Sequence, residues 1–256
     1  MKNRALFRTL IFLLACLLFC CGCGKKGPVK PLRQPFPAAP EHLTALQQGD
    51  LMQLSWQLPE QNQDGSELND LQGFHIYKMS YDPTDQCPEC RDLSVLMRQI
   101  DLDFLQNAER QDNRLTIWDD DLEAGFGYQY RVVAVTQQRR EGAAAVTRQT
   151  FLPPVAAPVA VQASGYDRMV RLSWQPPELV NGERILGYTL YRHTLGELAP
   201  SFPTIGQLVQ DTSYEDYGLT NGITYVYRVR MVVDVRGVRQ ESAASPPVEV
   251  VPEAGK

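Results

Sequence analysis

The chain has 256 residues, 43% of them hydrophobic and 21% charged. That balance excludes disorder over most of the length and leaves room for one large domain or two ordinary ones. Its formal net charge is -5, and three of the positive charges, Lys2, Arg4 and Arg8, lie in an N-terminal segment that reads as a removable address. An acidic body lacks the basic face that phosphate contacts need, so nucleic acid is excluded as a partner.

Residues 1–22 are predicted to be a secretory signal. A positive start is followed by the apolar run Leu10–Cys21 and then by small residues at Gly22–Gly24. A membrane span needs about 20 apolar residues, and this run is shorter; the alternative is an anchor that stays uncut. Four of the six cysteines (Cys16, Cys20, Cys21 and Cys23) crowd into this segment, where most would leave with the signal. A bacterial lipoprotein signal ends instead at one cysteine that is acylated. Gly22, small and immediately before it, points to Cys23 as the lipidation site. Cys20 stands three residues earlier, where such signals usually carry Leu. Cys21 is the other candidate, with bulky Phe19 close before it.

The stretch Gly22-Cys23-Gly24-Lys25-Lys26-Gly27-Pro28 is similar to the start of small Gram-negative lipoproteins of the LPS-translocon maturation family. The resemblance covers about eight residues and implies anchoring: several acyl chains at about 0.8 kcal/mol per buried methylene hold a protein stably in a bilayer. Gly24 after the cysteine, in place of Asp, implies the outer membrane. Residues 23–37 then form a stalk. Its prolines (Pro28, Pro31, Pro35 and Pro37, with Pro40 just beyond) favour an extended polyproline path, and its basic residues are drawn to anionic head groups.

After the stalk the chain repeats itself. Leu51-Met-Gln-Leu-Ser-Trp56 matches Val170-Arg-Leu-Ser-Trp174; Gly73-Phe-His-Ile-Tyr77-Lys matches Gly187-Tyr-Thr-Leu-Tyr191-Arg. Leu122 through Val132, with Tyr128 and Tyr130, matches Leu219 through Val229, with Tyr225 and Tyr227. Each block alternates apolar and polar residues, the period of a strand with one buried face. Pro and Gly clusters such as Gln175-Pro-Pro-Glu178 separate the blocks, which predicts short strands in an all-β sandwich.

On these residues both copies resemble fibronectin type III domains: Trp in strand B, Gly-aromatic-x-Ile/Leu-Tyr in strand C, and Leu six residues before the strand F tyrosine. The resemblance implies two tandem Ig-like β-sandwiches, residues 38–152 and 153–252, with Tyr128 and Tyr225 as tyrosine-corner residues. The first copy is longer by an inserted loop, 81–113, in which Asp101–Arg110 is predicted to form a short helix. Phe151-Leu-Pro-Pro-Val-Ala-Ala-Pro158 joins the copies, short and Pro-rich enough to restrict their orientation.

The insertion carries Cys87-Pro-Glu-Cys90. In an oxidising periplasm a disulfide that pins the loop is the default. Free thiols, zinc and a redox pair remain open; zinc would need two more ligands that His42, His75 and His193 are not spaced to supply, and a redox pair would lack the βαβ context of a thioredoxin-like site. Asp119-Asp120-Asp121 lacks the alternating ligands of a calcium loop and reads as a solvated turn. Arg236-Gly237-Val238 reads as a hairpin whose glycine needs a positive φ. Trp118, aligned with Tyr214, reads as a core residue.

No nucleophile elbow, phosphate loop or paired-histidine zinc motif is present in the sequence, and no cofactor is expected. The expected function is a lipid-anchored, non-catalytic binding or scaffolding protein of the cell envelope, in the outer membrane facing the periplasm or at the cell surface. Its partners would be the membrane, through the lipid, and an envelope protein or glycan. The alternatives are an assembly factor in outer-membrane or LPS export and an accessory module of a surface polysaccharide enzyme. Segment 81–113 is the expected contact surface, and its deletion is expected to abolish binding with folding intact.

Overall fold

The alternation in the repeated blocks becomes, in space, strands with one face in a core. The computed structural model describes residues 35–84, 92–179 and 182–255, and among these residues the chain forms strands and no helix. In the first sandwich, β1 (Glu41–Gln48), β2 (Leu51–Gln57), β5 (Ala108–Gln111) and β6 (Arg114–Asp119) lie in one sheet. The facing sheet holds β3 (Leu71–Tyr81), β4 (Val95–Asp101), β7 (Gly127–Thr136) and β8 (Glu141–Thr150), in the order β4-β3-β7-β8. In the second, β9 (Val159–Tyr166), β10 (Met169–Gln175) and β12 (Ser213–Tyr217) face β11 (Glu183–Thr194), β13 (Tyr225–Val235), β14 (Val238–Glu241) and β15 (Val248–Val250). Strands β1, β2 and β6, or β9, β10 and β12, correspond to A, B and E; they face β3, β7 and β8, or β11, β13 and β14, which correspond to C, F and G. This is a fibronectin type III-like arrangement, in which β4 stands at the C′ position of the first sandwich and the short β5 extends the sheet beside β6.

Each sandwich has its own core. Trp56 and Phe74 meet edge to face at 5.5 Å in the first, and Trp174 and Tyr188 at 5.3 Å in the second. Phe151 belongs to the first core and Val155 to the second. Both tyrosine corners form: the amide of Glu123 donates to Tyr128 Oη at 2.6 Å, and that of Thr220 to Tyr225 Oη at 3.1 Å. Tyr128→Phe is therefore expected to cost about 1 kcal/mol in urea unfolding, the net worth of one such bond. The repeated glycine of strand C is also explained. A Cβ on Gly73 would lie 1.9 Å from Ile100 O, and Gly187, at φ 142°, is crowded by Leu208 and Val209. In both cases a neighbouring segment runs too close for a side chain.

A buried charged triad, absent from the sequence reading, recurs in the two sandwiches. Asp119 accepts from Lys78 Nζ at 2.8 Å and from Tyr130 Oη at 2.7 Å. Asp216 accepts from Arg192 at 2.6 Å and from Tyr227 Oη at 2.8 Å. Burial, reinforced by the adjacent carboxylate, pushes both the Tyr130 and the Tyr227 hydroxyl far above the ordinary tyrosine range. Asp119 is thus not part of a solvated turn: its side chain is 4% exposed, whereas that of Asp121 is fully exposed. The hairpin reading of Arg236-Gly237 matches their backbone, with φ of 55° and 87°.

Three further expectations change. Asp101–Arg110 is not a helix. Asp101 ends β4 and its carboxylate accepts the Asp103 amide at 2.9 Å, Asn107 has φ 53°, and β5 begins at Ala108. Local side-chain bonding and a left-handed residue defeat a segment too short to hold a helix alone. Segment 81–113 is accordingly not a free loop, since it supplies β4 and β5 to opposite sheets. Finally, the counterpart of Tyr214 is Ile117, because Ile117 pairs with Leu54 and Tyr214 with the equivalent Leu172. Trp118 pairs with Gln53 and lies outside the core cluster. A slip of one residue moves a strand side chain to the other face.

The sandwiches are joined by more than the connection between them. The end of β1 pairs in parallel with the end of β14, Gln48 opposite Glu241, so that one sheet runs β11-β13-β14-β1-β2-β6-β5. The amide of Gly49 donates to Glu241 O at 2.9 Å, while Gln47 Nε2 fastens the connection itself, donating to Leu152 O at 2.7 Å. Beyond the strand edge, Gln53 Nε2 donates to Ser201 O at 2.6 Å, Arg114 stacks on Phe202, and Ser201 bonds Glu109.

Candidate functional site

Cys23, Cys87 and Cys90 lie outside the described residues. Asp92, just past the insertion's cysteines, is described, and it leads to the outer face of the β4-β3-β7-β8 sheet. That face is built by strand alternation: Phe74 and Ile76 of β3 point into the core, which turns His75 and Tyr77 outward. On β7 the same alternation turns Arg131 outward between the core residues Tyr130 and Val132.

These side chains converge on Glu141 at the start of β8. His75 Nδ1 lies 2.6 Å from its carboxylate and Tyr77 Oη donates to it at 2.5 Å. Arg131 lies over the Tyr77 ring and pairs with Asp92 at 3.0 Å. Burial raises the Glu141 carboxyl, but the bonds from Tyr77 and His75 outweigh it and hold the group below its ordinary range. The same bond to Glu141 pushes the Tyr77 hydroxyl up. Beside His75 a cavity of about 560 Å³ is lined by Gln72, Gln99, Asp101, Phe104, Val135 and Arg139. With donors, acceptors and an aromatic ring in the open, the face is equipped to bind polar groups of a partner.

The edge of this sheet is also open. Among the described residues β4 pairs only with β3, and apolar side chains flank it in solvent: Leu93 is 75% exposed, Val95 68% and Phe104 68%. The inner side of β4 is structural. Ile100 is buried and Met97, Leu102, Leu105 and Ala108 pack on the core. Deleting 81–113 would remove these contacts, so the expectation that folding survives the deletion does not hold.

The second sandwich holds the same constellation in another state. Val232 pairs with Glu241 as Val135 pairs with Glu141, and Tyr191 stands where Tyr77 does. Tyr191 Oη donates to Glu241 at 2.7 Å and Thr189 Oγ1 at 3.1 Å. Here the site is covered by the first sandwich: Gln48 Nε2 reaches both Tyr191 Oη and Glu241 Oε2 at 3.2 Å, and Glu241 is 2% exposed. Burial and the Glu241 carboxylate push the Tyr191 hydroxyl far up. Sequence reasoning missed Gln48, Glu141 and Glu241. The signal available was the matched Tyr77 and Tyr191, each on the outward phase of a block already aligned.

No protein-family model matches the chain. Among solved structures, the crystal structure of the chicken CNTN1 FN1–FN3 domains is similar, at 12% identity and a TM-score of 0.35, over 86% of this chain and 69% of that one. The fold stands on the strand orders above, not on that likeness.

Proposed function

We propose that the chain is a non-catalytic binding and scaffolding lipoprotein of the cell envelope. Acylated at Cys23, it stands in the outer membrane, facing the periplasm or the cell surface. It offers the open sheet face and β4 edge of its first sandwich to an envelope protein. The observation that carries this reading is the contrast between equivalent faces. The Tyr191–Glu241 face of the second sandwich is covered by a neighbouring sandwich, while the Tyr77–Glu141 face of the first is open. A surface that takes a protein neighbour in one copy is suited to take one in the other, and the β4 edge beside it, free of a strand partner among the described residues, can extend the contact by β-augmentation.

Two measurements test the reading. The membrane-extracted chain should have the mass of residues 23–256 plus acyl groups on Cys23; an uncut or lipid-free chain would remove the tether. The double variant Leu93→Asp, Val95→Lys should change stability by about 0.5 kcal/mol or less, because both side chains are exposed. It should also abolish the protein crosslinks that a photoreactive group at the β4 edge gives in intact cells. Unchanged crosslinks would refute the edge as contact surface.

A further inference from the structure

A second site lies between the sandwiches, on a different face from the one just proposed. A cleft of about 200 Å³ is lined by Gln48 and Trp118 from the first sandwich and by Tyr191, Ala199–Ser201, Arg228 and Arg230 from the second. Trp118, turned away from the core by the register of β6, forms part of its wall. Arg228 stands directly across the strand pair from Tyr191.

The two arginines differ in occupation. Arg230 donates to Ser242 O at 2.8 Å, lies over the Tyr191 ring and approaches Glu241 at 3.9 Å, so its charge offsets that carboxylate. The Glu241 oxygens are further engaged by Tyr191, Thr189 and Gln48. The Arg228 side chain lines the cleft and makes no hydrogen bond or ion pair among the described residues; its Nε is buried, which leaves the terminal nitrogens of the guanidinium to meet a ligand. Burying an unsatisfied donor of a cationic group is costly, and such groups in native proteins are satisfied by protein, water or a bound anion. A guanidinium presents a planar fork matched to a carboxylate or phosphate, and an indole beside it supplies an apolar surface with a polar edge.

We propose that this cleft binds an acidic sugar: the carboxylate pairs with Arg228 and the pyranose ring lies against Trp118. The volume suits one such ring. Phe202 and Ser201 hold the wall in place through Arg114, Gln53 and Glu109, so the site exists only when the two sandwiches are docked.

Tryptophan emission tests the proposal on the detergent-extracted full chain. Of the three tryptophans, Trp56 and Trp174 are in the cores, so a cleft ligand perturbs chiefly Trp118. Glucuronate is expected to change the emission saturably, and glucose to leave it unchanged. Arg228→Gln should weaken half-saturation by about tenfold or more, the worth of a charge-assisted bond, with an unchanged melting midpoint. Trp118→Phe should abolish the optical signal while calorimetry still detects weakened binding. Equal responses to glucose and glucuronate, or undiminished binding by the Arg228→Gln variant, would overturn the proposal. Inorganic phosphate binding as tightly as glucuronate would overturn the sugar and leave an adventitious ion only. None of these outcomes bears on the β4 edge, whose crosslinks report separately.

Discussion

Asp119→Ala is expected to be among the most damaging single substitutions in the first sandwich, at about 3–5 kcal/mol, because it leaves a buried ammonium without its counter-charge. Lys78 Nζ is 2.8 Å from Asp119, with the two side chains 11% and 4% exposed. Tyr130 Oη loses its acceptor in the same step. Lys78 keeps the backbone carbonyl of Asp121, its fully exposed carboxylate at 3.6 Å and the face of Tyr128 at 5.0 Å, but a carboxylate out in water does not replace the buried one. The equivalent change in the second sandwich, Asp216→Ala, should cost about half as much. Arg192 is 28% exposed, so its longer side chain can reach water. The double variant Lys78→Met, Asp119→Leu should recover most of the loss, since an apolar pair needs no desolvation. Urea denaturation of the four proteins measures all three statements. A loss under about 1 kcal/mol for Asp119→Ala would mean that the pair behaves as a surface one.

The second large effect is expected at the junction. Glu241→Ala should cost about 3 kcal/mol and split a single unfolding transition into two. The substitution takes the acceptor from Tyr191 Oη and Thr189 Oγ1 in a buried site, leaves Gln48 Nε2 with Tyr191 Oη alone, and removes the charge that Arg230 faces. The Gln48–Glu241 bond is also a side-chain tie from β1 to the second sandwich. The other contacts between the sandwiches are the Gly49 amide on Glu241 O, Gln53 and Glu109 on Ser201, and Arg114 on Phe202; they are few and mostly polar, so the sandwiches should then melt on their own. Calorimetry separates the outcomes: two endotherms in the variant against one in the parent. Glu141→Ala is the built-in control. Its carboxylate has the same partners by position but is 41% exposed, so its loss should stay below about 1 kcal/mol with one transition. Should both glutamates cost the same, the two faces would be energetically alike, and the contrast on which the proposed function rests would fail.

Much of the architecture is legible in local pattern. The period of two through Leu54 and Trp56, and through Leu172 and Trp174, selects the core face by itself, because successive side chains on a strand must point to opposite sides. The spacing from Leu122 to Tyr128 and from Leu219 to Tyr225 specifies the tyrosine corners, which close on backbone five residues away. Arg236-Gly237 announces its hairpin through a positive φ that glycine accepts without strain.

What the sequence could not settle depends on distant partners. Trp118 reads as a core residue because strands β6 and β12 share too few residues to align, and only the ladder Leu54↔Ile117 fixes the phase. Asp119 reads as one of three surface acids until Lys78, 41 residues earlier, is brought beside it. Gln48 and Glu241 are 193 residues apart, and neither stands in a motif. Local rules decide which face of a strand is apolar, since that follows from a few adjacent residues. Which outward face is then covered, and which is left open to a partner, is decided by how two finished sandwiches dock, and only the tertiary structure holds that information.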